Sequence, residues 1–172
     1  MGKRQIFIDT ETTGLSPRQG HRIVEIAALE TMSGRATERV FHIYLDPERD
    51  IDPRAMQVHG LSREFLTGKP TFSAIADDFI NFIRDAELII HNAKFDVAFI
   101  DEEFKRSGLP YRLNDLGNVL CSMQLAKNLF PGESASLDAL IERLGLNIIR
   151  DKHSALEDVE LLSQVFFRMT AI

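Results

Sequence analysis

The sequence contains a single cysteine, Cys121, among 172 residues. That excludes an intramolecular disulfide and favours a reducing compartment, with the cytoplasm as the default. No apolar run approaches the roughly 18 residues that a membrane span needs. The first residues, Met1-Gly2-Lys3-Arg4, lead directly into a strand-like apolar run, so no signal peptide is read there. Ile6 stands where a myristoylation signal needs Ser or Thr. Glycine-rich nucleotide loops of the Walker or GxGxxG type are missing, as are internal repeats, low-complexity stretches and linkers. Positive charge is not in excess either, since the formal net charge is −6. Phosphate contacts usually rest on Lys and Arg, so the overall field of this chain does not attract a polyanion. A role on nucleic acid then requires that bound divalent cations reverse the sign of the site, or that a larger partner delivers the substrate.

What is present is ordinary globular material, 44% hydrophobic and 27% charged, in a length suited to one domain with a sizeable core. Gln5-Ile6-Phe7-Ile8-Asp9 reads as a buried strand, followed by a polar loop from Ser16 to Gly20. Arg22 to Glu30 and Val40 to Leu45 read as two further strands joined by a turn near Ser33-Gly34. Phe72, Ile75, Ala76, Phe79 and Ile83 form a helical stripe. Leu88-Ile89-Ile90 is a short buried strand, and Asn92 is expected to cap a helix running through Phe99, Ile100 and Phe104. Asn118 to Cys121 is a candidate fifth strand, leading into a helix that Pro131-Gly132 terminates. Ser136 caps a short helix ending near Gly145, and Ala155, Val159, Leu162, Phe166 and Met169 mark the last one. Strands first, then alternating helix and strand, indicate a mixed sheet flanked by helices.

Three groups of residues bear chemistry. In Asp9-Thr10-Glu11-Thr12-Thr13-Gly14, strand alternation sends Asp9 and Glu11 to the same side. Two carboxylates that close repel unless a cation lies between them, although a solvated strand end would carry the same residues. Asp96 shares a helix face with Phe99 and Ile100. A carboxylate drawn toward the core needs a metal, a Lys or Arg partner, or a place at a helix start. His153 lies just before the last helix, and Asp158 adjoins Val159 on the inward stripe. A lone histidine there is ordinarily a surface or capping residue. His21, His42 and His91 lack metal-ligand spacing and are read as structural or surface residues, and Glu157 and Glu160 as solvated face. Among the phenylalanines, Phe95 is the exception to a core reading because it sits beside Asp96.

In order along nearly the whole chain, these pieces resemble the DEDDh (DnaQ-like) 3′→5′ exonuclease family, and within it the proofreading branch serving bacterial DNA polymerase III. The motifs are Asp9 to Gly14, then Val58-His59-Gly60-Leu61, His91-Asn92-Ala93-Lys94-Phe95-Asp96, Phe130-Pro131-Gly132 with Ser136 to Leu140, and His153 followed by Asp158. The family usually has Gly where this chain has Ser154, and many relatives have Asp-Ser or Asp-Thr where it has Cys121-Ser122. Neither position supplies a metal ligand.

The resemblance implies a ribonuclease H-like α/β fold, a five-stranded mixed sheet with helices on both faces. It implies that Asp9, Glu11, Asp96 and Asp158 hold two Mg²⁺ or Mn²⁺ ions, and that His153 is the general base for the attacking water. Nucleotide contacts carry over to Thr10, Glu11, Thr12, Thr13, Val58, His59, Asn92 and Phe95. The implied substrate is a single-stranded or frayed DNA 3′ end, with trimming of RNA ends by a stand-alone relative as the alternative. The implied partners are the polymerase III alpha subunit and, through a C-terminal tail, the sliding clamp. Since this sequence stops at Ile172, either such a tail is missing or the protein is a stand-alone relative.

Overall fold

Strand β1 (Arg4–Thr12) lies at the centre of the sheet because its apolar residues are claimed by both faces. The computed structural model describes residues 2–146, 148 and 152–172. β2 (Ile23–Met32) runs antiparallel to β1, and β3 (Arg35–Tyr44) antiparallel to β2. On the other side of β1, β4 (Glu87–Ile90) and β5 (Asn118–Cys121) are parallel, giving the order β3-β2-β1-β4-β5. Ile6 and Ile8 join one core, with α3 (Phe72–Ile83) and α4 (Ala93–Arg106); Phe7 joins the other. That second core is covered by α6 (Ser122–Leu129), α7 (Leu137–Arg143) and α8 (Ala155–Thr170). A strand covered on both faces has no reason to alternate with polar residues, which is why the start of β1 reads as a continuous apolar run. On α3 the residues Phe72, Ile75, Ala76, Phe79 and Ile83 are buried, as the helical stripe requires. On the opposite layer Phe7 meets Phe166 and Phe167 edge-on, with centroids 5.6 and 5.5 Å apart.

The expected fold class is therefore the observed one, with local differences. β3 begins at Arg35 rather than Val40, because its first half is an exposed edge whose polar residues carry no alternation signal. Three short helices, α1 (Pro53–His59), α2 (Arg63–Leu66) and α5 (Leu113–Leu116), lie in stretches too brief to show a helical period. Asn92 does not cap α4 through its side chain. It takes a left-handed conformation, φ 55° and ψ 49°, which Asn tolerates better than most residues, and its carbonyl accepts from Phe95 N–H.

The loop between β1 and β2 is fixed from beneath. Arg22 donates twice to the buried Glu103 carboxylate, at 2.7 and 2.9 Å. Arg106 donates to the carbonyls of His21 and Pro17. At Gly14 a Cβ would stand about 2.3 Å from the His21 ring, so only glycine lets the chain turn there without displacing the imidazole.

Candidate active site

Because β1 and β4 are parallel, their carboxyl ends open at the same edge of the sheet, the usual place for a site in such folds. Asp9 and Glu11 share the parity of Phe7, so they project toward the α8 layer. A register shift between Glu11 and Thr12 marks a bulge in the β1–β2 ladder, a device that re-aims side chains. Asp158 lies in the first turn of α8, 6% exposed. Glu11, His153 and Asp158 each offer a ligand atom, and these atoms all lie within 4.8 Å of one another. His153 Nδ1 is 3.4 Å from Asp158 Oδ2.

Asp96 arrives from the first turn of α4. It is 3% exposed and accepts from both the N–H and the hydroxyl of Thr10, at 3.1 and 2.7 Å. Thr10, between Asp9 and Glu11, occupies the place that a Lys or Arg partner would have taken. Burial pushes the Asp96 carboxyl up to about 7, since neutral donors compensate only part of its lost hydration. The carboxylates of Glu11 and Asp158, which converge with His153, and that of Asp96, held against Thr10, are oxygen donors of the kind that hard divalent ions prefer.

Beside the carboxylates opens a cleft of about 390 Å³. Thr10, Glu11, Thr12, Val58, His59 and Phe95 line it, as do Leu15, Asp52, Arg54 and Ala55. Asn92 faces a neighbouring hollow with Lys94, Leu15 and Phe95. Thr13 is not on the cleft. It is fully buried, its hydroxyl shared between His21 and Arg22 N–H, its own N–H given to Arg22 and its carbonyl accepting from Asp52. His59 is also committed: Nδ1 accepts from Leu61 N–H, so Nε2 carries the proton and donates to the Thr12 carbonyl. The histidine therefore pins α1 to the end of β1 and turns only ring carbons to the cleft. Leu15 went unnoticed in the sequence, although an apolar residue after a Thr-Thr-Gly turn, here 84% exposed, is a visible signal.

Burial holds the imidazoles of His59 and His91 below the usual histidine range. Above about pH 6.5 both are neutral in folded and unfolded chains. Below it the unfolded chain gains protons that the folded one resists, so stability falls with acidity by at most about 1.4 kcal/mol per pH unit per histidine. In metal-free protein Asp96 acts in the opposite direction between about 7 and the ordinary carboxylate range. The histidine contribution is thus read as a difference: His91→Asn is expected to lose less stability than wild type between pH 7 and 5.5 in urea titrations. Parallel losses would remove His91 from the account.

Carboxylates at the open edge of this five-stranded mixed sheet form a site suited to metal-assisted chemistry. Comparison with known proteins makes the class specific. The family described as Exonuclease matches residues 6–166, and the chain belongs to it. The DNA polymerase III subunit epsilon of Rickettsia felis is 48% identical over 171 residues, covering 97% of this chain and 74% of that protein. The subunit of the same name from Escherichia coli is 45% identical, covering 97% and 71%. Among solved structures, Exonuclease X in complex with 5′ overhanging duplex DNA is 28% identical with a TM-score of 0.74, covering 97% of this chain and 92% of that one. The nuclease domain of 3′hExo, a DEDDh family member bound to rAMP, shares the fold at 18% identity, with a TM-score of 0.83 and coverage of 99% and 92%. The enzyme is a 3′→5′ exonuclease, and its fold implies the use of divalent metal.

Proposed function

We propose that this exonuclease proofreads for the replicative DNA polymerase III in the bacterial cytoplasm, releasing nucleoside 5′-monophosphates from single-stranded or mismatched DNA 3′ ends. Asp9, Glu11, Asp96 and Asp158 hold two divalent cations, Mg²⁺ or Mn²⁺, and His153 is the general base. The observation that carries this reading is the convergence of Glu11, His153 and Asp158 within 4.8 Å beside a cleft lined by Val58, Leu15 and Phe95. Cations held by these carboxylates would supply neutralisation of the charge that develops on the phosphodiester. Asp158 holds the Nδ1 proton of His153, leaving Nε2 to accept a proton from the attacking water. Val58 and Leu15, both exposed at the cleft, flank the terminal base with Phe95, and Thr12 and the ring carbons of His59 form the floor. Asn92 and Lys94 in the adjoining hollow meet the next nucleotide. The partners this reading supplies are the polymerase alpha subunit and, through a C-terminal tail, the sliding clamp. The names of relatives from Rickettsia felis and Escherichia coli, DNA polymerase III subunit epsilon, support an association with that polymerase; the clamp contact rests on the resemblance alone and needs such a tail.

Nothing among the described residues opens a duplex, so a strand end must separate before its last nucleotide reaches the carboxylates. Unpairing costs a few kcal/mol and least at a mismatch, and about 1.4 kcal/mol is tenfold. Mismatched and single-stranded 3′ ends are expected to be trimmed at least tenfold faster than matched ends at low temperature, with the gap narrowing on warming. Labelled DNA primers of each kind, with an RNA primer alongside, measure this. Equal low-temperature rates on matched and mismatched DNA sink proofreading, and faster trimming of RNA sinks the DNA assignment, while either leaves the nuclease standing.

A further inference from the structure

Glu25 is a carboxylate in the middle of an apolar strand, 1% exposed, standing opposite Glu11 in the β1–β2 register. Burying a charge there is costly unless it is well bonded. The bonds are present and point in one direction. Glu25 Oε1 accepts from His42 Nε2 at 2.8 Å, across from β3, and from the Ser154 hydroxyl at 3.1 Å. Ser154 is the N-cap residue of α8, yet its side chain makes no capping bond. A serine in that place ordinarily accepts from the first turn of its own helix; here it reaches sideways to the sheet. The residue before it is His153, whose main-chain N–H donates to the Val58 carbonyl at 3.0 Å. Lys152 Nζ donates to the Gln57 carbonyl. The segment bearing the base is thus held on one side by α1 and on the other by β2.

We infer that Glu25, braced by His42, is a positioning residue that acts through the Ser154 hydroxyl to hold His153 at the attacking water. The inference rests on His153 being the base. His153 sits in the loop ahead of α8 with its side chain 44% exposed, so packing alone does not fix its place. A misplacement of about 1 Å is enough to cost up to about 10²-fold in rate. A hydroxyl at position 154 can make this tie and a glycine cannot.

The test measures kcat, KM and melting temperature for Ser154→Ala and Glu25→Leu, alone and combined, with and without His153→Ala. Ser154→Ala, at a partly exposed helix start, is expected to fold normally and lose roughly tenfold in kcat, within the range set by misplacement. KM is expected to stay within about twofold of wild type, since uniform binding is untouched. Ser154→Thr, which retains the hydroxyl, recovers kcat. Glu25→Leu, which keeps the bulk, lowers kcat similarly, and the pair together lose no more than one alone. In the His153→Ala background neither change has further effect. Unchanged kcat in Ser154→Ala, or the same loss with His153 absent, overturns the inference while leaving the general base in place. Full turnover in His153→Ala overturns the base assignment and the inference with it.

Discussion

Asp158→Ala is expected to reduce turnover by about 10³-fold or more, and to lack the rise in melting temperature expected of the wild type in Mn²⁺. Asp158 contributes twice: as one of three residues whose ligand atoms crowd within 4.8 Å, and as the carboxylate facing His153 Nδ1. Removing a single group that stabilises developing charge typically costs 10²–10³-fold, and here the orientation of the base goes with it. Stability should move the other way. Without cations, Asp158 crowds Glu11, and like charges held close oppose folding; a ligand that binds only the folded chain stabilises it. The metal-free variant should therefore melt no lower than metal-free wild type, whereas in saturating Mn²⁺ wild type melts higher. Oligonucleotide turnover and thermal shift with and without MnCl₂ give both quantities. A variant that keeps its metal-dependent shift and its turnover removes Asp158 from the ligand set.

His153→Ala should separate binding from chemistry. Turnover is expected to fall by roughly 10²–10⁴-fold, the range for general base catalysis, with KM and the Mn²⁺ melting shift preserved. Wild-type turnover should climb with pH as the imidazole loses its proton, and the residual rate of the variant should lose that dependence. The side chain, 44% exposed, leaves no buried cavity on truncation, so loss of stability is not expected to mimic loss of catalysis. Near-normal turnover would move the base elsewhere. Loss of the melting shift would instead make His153 a ligand, consistent with its place among the clustered donors.

The sheet and two of the three long flanking helices were legible because each has a period: continuous apolar runs where a strand is covered twice, and a 3.6-residue stripe on α3 and α8. α1 was legible only as the Val58-His59-Gly60-Leu61 motif, since seven residues beginning at Pro53 and closed by Gly60 leave no stripe to detect. The carboxylates could be named individually, but the partner of Asp96 could not. A Thr10 hydroxyl reaching across from β1 to α4 has a separation of 86 residues and no local pattern. Thr13 fell in the nucleotide set by its neighbours, although the fold spends every polar atom of that residue on the loop. Glu25 left a signal that was passed over, a lone acid between Val24 and Ile26. Its meaning lies in Ser154, 129 residues away.

β1 holds Ile6 and Ile8 in one core, Phe7 in the other, and the carboxylates of Asp9 and Glu11 on the side of Phe7. The strand is thus a ruler of fixed length as well as a sequence of residues. Deleting one residue ahead of Asp9, with the apolar register kept by pairing to β2 and β4, turns Asp9 and Glu11 into the layer of α3 and α4 and points Thr10 at α8. An exchange of Ile6 for Val leaves the site standing; a shortening by one residue dismantles it without touching any group that takes part in the reaction. Tolerance in this segment is therefore expected to divide sharply, permissive to apolar substitution and closed to insertion or deletion.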